Sequence, residues 1–213
     1  MDLQNLQSRH KIGACVIGRR ELVEFARDIK FSHTIFSLPF VVVGLIIANV
    51  EFPTVRNAFI ILLCMVSARS FAMGMNRFLD AGLDGQNLRT AVRAIPQGRL
   101  SKNTSIYINL CFALTFIGGS FLLSPLAGVL SLPLLVILGL YSMMKRWTIF
   151  THFYLGLCLG LATIAAELAL AGRVGHLNIL LGLSILFWVA GFDILYSTQD
   201  IDIDRKFKLY SFP

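Results

Sequence analysis

Residues 73–84 read "MGMNRFLDAGLD" and close a long apolar run that begins near residue 56. Asn76, Asp80 and Asp84 stand four residues apart, so on a helix they fall along one stripe. The run ahead of them is long enough to cross a bilayer as a helix. An amide and two carboxylates placed where such a segment ends call for a chemical reason.

The rest of the chain agrees with a membrane setting. Of its 213 residues, 56 % are hydrophobic and only 15 % are charged, against about 25 % charged in soluble domains. The mean hydropathy is +0.72. Apolar segments of about 18 residues or more match the length that spans a hydrocarbon core as a helix. They fall at roughly 33–50, 56–79, 104–123, 125–144, 152–171 and 177–199. Period-two alternation of the length a barrel needs is absent from the sequence. The expectation is an all-α, polytopic transmembrane bundle with six spans, preceded by a polar arm over residues 1–30. That arm has no apolar core of the kind a cleavable signal carries.

The net charge of +7 invites a nucleic-acid reading, but its distribution points elsewhere. If the six spans alternate, 16 of the 19 Lys and Arg residues lie on one side. They occupy the arm, the connection after span two with the helix end leading into it, the connection after span four, and the tail. Arg56 and Arg173 lie opposite, and Arg69 lies inside span two. Such a bias marks the cytoplasmic face and excludes nucleic acid as the expected partner. Cys15, Cys64, Cys111 and Cys158 lack the spacing of a zinc site or a disulfide framework, and read as packing thiols.

A second acid stripe ends span six. In "GFDILYSTQDIDID" (191–204), Asp193, Tyr196, Asp200 and Asp204 share a face, whereas Asp202 points elsewhere. Carboxylates this close repel one another and are costly to bury unpaired. A divalent cation relieves the repulsion. Hard oxygen ligands suit magnesium, which takes one or two carboxylates and completes its shell with water and phosphate oxygens. Arg89, Arg93, Lys145 and Arg146 are placed to meet the remaining phosphate charge. Isolated acids at a helix end are commonly a solvated cap, and Lys145 and Arg146 could equally be positive-inside anchors. Two matched stripes on one side favour magnesium–diphosphate chemistry.

These residues resemble those of a known family. "NRFLDAGLD" is similar to the NxxxDxxxD motif of the UbiA superfamily of intramembrane prenyltransferases, and "YSTQDIDID" resembles its DxxxD motif through Asp200 and Asp204. "KFSHTIFSLPF", "ARSFAMGMNR", "NLRTAVRAIPQGRLS", "YSMMKR" and "THFYLGLCLGLA" agree in order and spacing. The likeness covers about residues 20–213, and the branch most resembled is the 4-hydroxybenzoate polyprenyltransferases. The resemblance implies a single UbiA-type domain over 1–213 with a cavity open to lipid. Nine helices are expected of the complete family fold, so a chain ending at "LYSFP" is expected to be C-terminally incomplete. It further implies magnesium held by Asn76, Asp80, Asp84, Asp200 and Asp204, with the four aspartates catalytic. Asn76, Arg89, Arg93, Lys145, Arg146, Asp193 and Tyr196 would bind substrate.

The implied reaction moves a polyprenyl group from its diphosphate to an aromatic acid such as 4-hydroxybenzoate, in ubiquinone or menaquinone synthesis. The implied location is the bacterial inner membrane, with the site facing the cytoplasm and membrane lipid around the protein. The alternative is a non-catalytic remnant, or a partner subunit of a split prenyltransferase. A cation transporter fits less well, because Asp84 and Asp204 lie at the surface end of their helices. A CDP-alcohol phosphotransferase would carry its aspartates on one continuous segment. Arg69 could pair with an aspartate of its own stripe or line the cavity. Glu167 stands where the family pattern usually has an aromatic residue, and could find a partner in the bundle or face lipid. His33 and His152, near helix starts, are expected to cap or pack.

Overall fold

The computed structural model describes residues 17–48, 53–210 and 212. Cys15 and most of the N-terminal arm lie outside the described residues, as do the side chains of His33 and Asp202. Among the described residues all regular structure is helical. Helix α1 covers Arg19–Asp28, α2 Leu38–Ile47, α3 Val55–Leu79, α4 Ala81–Asp84, α5 Lys102–Leu123 and α6 Pro125–Leu140. Then come α7 at Thr151–Ala171, α8 at His176–Ser197 and α9 at Ile201–Lys206. Shorter 3-10 segments sit at Phe31–Ser37, Tyr141–Arg146 and Thr198–Asp200.

Five of the six expected spans are long apolar helices: Val55–Leu79, Lys102–Leu123, Pro125–Arg146, Thr151–Ala171 and His176–Asp200. The first differs. In place of one helix over 33–50, the chain forms the 3-10 segment and then the 10-residue α2. At 1.5 Å per residue α2 is about 15 Å long, half a hydrocarbon core. Pro39 at its start lacks the N–H that would join it to the preceding turn.

Local chemistry sets the other ends. Thr54 opens α3 by accepting the Asn57 N–H, and Ser101 opens α5 by accepting that of Thr104. Ser124 closes α5 and caps α6 through the Ala127 N–H, with Pro125 in the first turn. Helix α3 packs along α5, and α7 along α8. The second pair is close because Gly156 and Gly160 face the α8 backbone. A Cβ on them would lie 2.3 Å from the Leu186 oxygen and 2.4 Å from the Gly182 oxygen respectively. Small residues one turn apart are the usual device for such contact in lipid.

Helix α1 is not a free arm. Its Phe25, with the neighbouring Ile29, packs on Ala81, Ala94, Ile95, Leu100 and Ile108. This cluster joins α1 to the connection over 85–101. Glu167, 2 % exposed, has its partner inside the bundle: its Oε2 accepts from the Asn178 side chain at 2.7 Å and the Gly175 N–H at 3.0 Å.

Candidate active site

The two acid stripes end on the same cavity. It has a volume of about 830 Å³ and is lined by Asn76 and Asp80 from the first stripe and by Asp193, Tyr196, Asp200 and Asp204 from the second. Arg89, Arg93 and Lys145 line it too. Asp84 lines an adjoining recess of about 120 Å³, shared with Asp80, Asp200 and Asp204. Arg146 lies behind these groups, against Asp80.

Each buried carboxylate is paired. Helix α3 ends at Leu79, and Asp80 sits at the kink before α4 with φ −93° and ψ 3°, so the stripe bends there instead of running on straight to Asp84. The Asp80 carboxylate, 2 % exposed, has Lys145 Nζ 3.1 Å from Oδ2 and Arg146 Nη2 3.1 Å from Oδ1. Asn76 donates to Asp80 Oδ2 at 2.9 Å and accepts from Arg77 at 2.8 Å. Asp84 is held by Arg93 at 2.5 Å. Asp200 is gripped by Arg89 through two nitrogens, at 2.5 and 3.3 Å, and by the Asn87 amide at 3.0 Å. The Arg89 guanidinium also lies 5.7 Å from the Tyr196 ring centre, within cation–π range. Asp204 begins the turn that returns the chain, and its carbonyl accepts from Leu209. Pairing of this kind makes burial of so many charges tolerable.

Several contributors were not singled out from the sequence. Arg77 is buried and ties Asn76 to the Asp28 carbonyl. Asp28 Oδ1 in turn accepts the Ala94 N–H, and Arg99 reaches Glu24 at 3.1 Å. The 85–101 connection is thereby fastened over the cavity by α1. Asn87 opens the segment "NLRTAVRAIPQGRLS", two residues before Arg89, but carried no role of its own in the sequence reading. Arg69 lines the cavity and donates to Thr34 at 3.2 Å.

A second, apolar cavity of about 300 Å³ continues inward between α3, α5, α6 and α7. On α3 its lining ends at Met65, one turn before Arg69 of the charged cavity. On α6 it ends at Leu138, before Tyr141.

Among the described residues, no three His, Cys, Asp or Glu side chains stand close enough to hold a metal ion unaided. The donor set is nevertheless all hard oxygen, from Asn76, Asp80, Asp84, Asp200 and Asp204, on both sides of one cavity. Magnesium needs only one or two carboxylates when phosphate oxygens supply the rest, so these residues fit it as part of a ternary site.

Five long apolar helices with a charged cavity at one end define a multi-pass integral membrane protein. The chain belongs to the UbiA prenyltransferase family, whose model matches residues 37–213. Among its relatives, the 4-hydroxybenzoate octaprenyltransferase of Alkalilimnicola ehrlichii is 31 % identical over 163 residues, 76 % of this chain and 56 % of the relative. That of Photobacterium profundum is 28 % identical over 163 residues, covering 76 % and 57 %. The apo UbiA homologue from Aeropyrum pernix K1 superposes with a TM-score of 0.79 at 32 % identity, covering 85 % of this chain and 68 % of that one. A UbiA homologue from Archaeoglobus fulgidus, bound to GPP and Mg²⁺, gives 0.73 at 20 % identity over 89 % and 68 %, a likeness of fold. The chain spans a little over half the length of the curated relatives it matches.

Proposed function

We propose that the chain carries the diphosphate site of a magnesium-dependent prenyltransferase that joins a polyprenyl group to an aromatic acid such as 4-hydroxybenzoate, in the synthesis of ubiquinone or menaquinone. The observation that carries this is the meeting of Asp80 and Asp200, from helices far apart in sequence, on one cation-rich cavity. Asn76, Asp80, Asp84, Asp200 and Asp204 would hold magnesium ions. When bound there, magnesium neutralises the diphosphate leaving group and lowers the barrier to breaking its C–O bond.

The chain's own groups do the rest. Lys145 and Arg89, now on Asp80 and Asp200, turn from carboxylate to phosphate oxygens as substrate binds. Arg93 makes the same exchange from Asp84, and Arg146 keeps Asp80 in place. Basic side chains at the site, Arg69 and Arg77 among them, face Asp80, Asp84, Asp193, Asp200 and Asp204. Such a balance favours taking cation and anion together over either alone. The apolar cavity takes the first isoprenoid units and keeps water from the allylic cation; its volume is at the lower end of ligand pockets. Asp193 and Tyr196, in the last turns of α8 ahead of Asp200, line the cavity where the aromatic acceptor would lie. The basic bias of the sequence puts this end of the bundle in the cytoplasm, with the bacterial inner membrane as its location.

The test is release of diphosphate and formation of prenylated product from geranyl diphosphate, 4-hydroxybenzoate and magnesium. Asp80→Asn and Asp200→Asn are each expected to lower the rate at least about 100-fold with membrane insertion intact. Product formation that ignores magnesium, or that survives both substitutions, would overturn the reading.

A further inference from the structure

A histidine–aspartate pair lines the same cavity as the carboxylates that would meet magnesium. His152, the second residue of α7, is 4 % exposed, and its Nδ1 stands 2.7 Å from Asp193 Oδ2 on α8. Asp193 precedes Asp200 by seven residues, about 10 Å along a helix axis. Both members of the pair line the cavity of about 830 Å³. His152 Nε2 is buried and has no hydrogen-bond partner.

That arrangement is unlike a helix cap or a packing histidine. A cap would spend its ring nitrogen on backbone; here Nδ1 is spent on a carboxylate from another helix. A carboxylate can only accept, so Nδ1 carries a proton, and in the neutral imidazole Nε2 then keeps its lone pair. Leaving such a nitrogen buried and unpaired costs about 1–3 kcal/mol, a cost that a group entering the cavity would relieve.

We infer that His152 is the general base of the transfer and that Asp193 is a positioning residue that fixes its tautomer. The inference rests on the prenyl-transfer reading above. In the step, the allylic C–O bond breaks and its electron pair leaves with the diphosphate. The aromatic ring carbon forms the new C–C bond with the allylic carbon. The ring proton at that carbon then passes to His152 Nε2, and the C–H pair restores aromaticity. Asp193 stabilises the imidazolium, which later returns its proton to the departing diphosphate or to water.

The experiment compares the wild-type protein with His152→Gln and Asp193→Asn, using geranyl diphosphate, magnesium and 4-hydroxybenzoate with ring positions either protiated or deuterated. Ring deuteration is expected to leave the wild-type rate unchanged, because proton loss is fast when a base is in place. His152→Gln is expected to slow turnover about 100-fold and to make the deuterated acceptor the slower one. Asp193→Asn is expected to do the same to a smaller degree. A slow His152→Gln variant without an isotope effect, or one at wild-type speed, would overturn the inference and leave the diphosphate reading standing. A wild-type protein that forms no product would remove both. Nitrogen-15 NMR of wild-type protein labelled at histidine needs no variant to fold: a proton on Nδ1 and none on Nε2 is expected, and the opposite tautomer would rule the base out.

Discussion

Asp84 shows how little freedom a single residue has at this site. It is 6 % exposed and its charge is answered by Arg93. Removing one partner of a buried pair costs about 3–5 kcal/mol, whereas replacing both with neutral groups costs far less. Arg93→Ala is therefore expected to destabilise the protein by about 3 kcal/mol, read as a lowered melting temperature in detergent. Adding Asp84→Asn should restore most of that loss without restoring any diphosphate-dependent activity. Glu167 makes the same argument away from the site. Glu167→Gln keeps an acceptor for Gly175 and Asn178 and should leave the melting temperature nearly unchanged. Glu167→Ala strands the Gly175 N–H and one of the two Asn178 amide hydrogens, the other still donating to the Gly44 carbonyl, and should cost roughly 1–3 kcal/mol.

Among the elements, the α7–α8 hairpin matters most, because the start of α7 carries His152 and the end of α8 carries Asp193, which meet at one end of the hairpin. Its two helices touch backbone to backbone at Gly160 and Gly182. Gly160→Leu cannot fit without parting them, and overpacking of this kind costs about 1–3 kcal/mol. The larger effect is expected in geometry. The His152–Asp193 contact should open, and loss of activity should exceed the loss of stability. A melting curve and an assay on the same preparation would show the difference. Helix α1 and the 85–101 connection act as a second unit. Arg99→Ala removes the tie to Glu24 and should raise the KM for the prenyl diphosphate several-fold while sparing the fold, since that ion pair is half exposed and worth at most about 1 kcal/mol.

At the scale of the whole molecule, the basic bias of the sequence is expected to put Gln97 and Arg173 on opposite sides of the membrane. A cysteine introduced at Gln97 in a cysteine-free background is expected to react with an impermeant thiol reagent only from the cytoplasmic side. One introduced at Arg173, in the α7–α8 turn, should react only from the opposite side. Reversal of these two results would invert the topology.

Much of this was open to reading in the sequence, because each signal was local. Five of the long helices follow from apolar run length, with ends set by Thr54, Ser101 and the Ser124–Pro125 pair. The acid stripes follow from four-residue spacing on two helix ends. The break within the first apolar segment was not legible because hydropathy counts apolar residues and does not register where the chain leaves the α-helix, as it does ahead of Pro39. The partners were beyond reach for a different reason. Which cation answers Asp80, that Asn87 reaches Asp200, that Glu167 meets Asn178 and that His152 meets Asp193 all depend on residues 11 to 113 positions apart coming together. By itself the sequence determined the long apolar helices and the family they belong to, since these rest on run length and on the spacing of the acid motifs. The tertiary structure alone decided which charges are paired and which nitrogen is left waiting, since burial and contact exist only once the helices have packed.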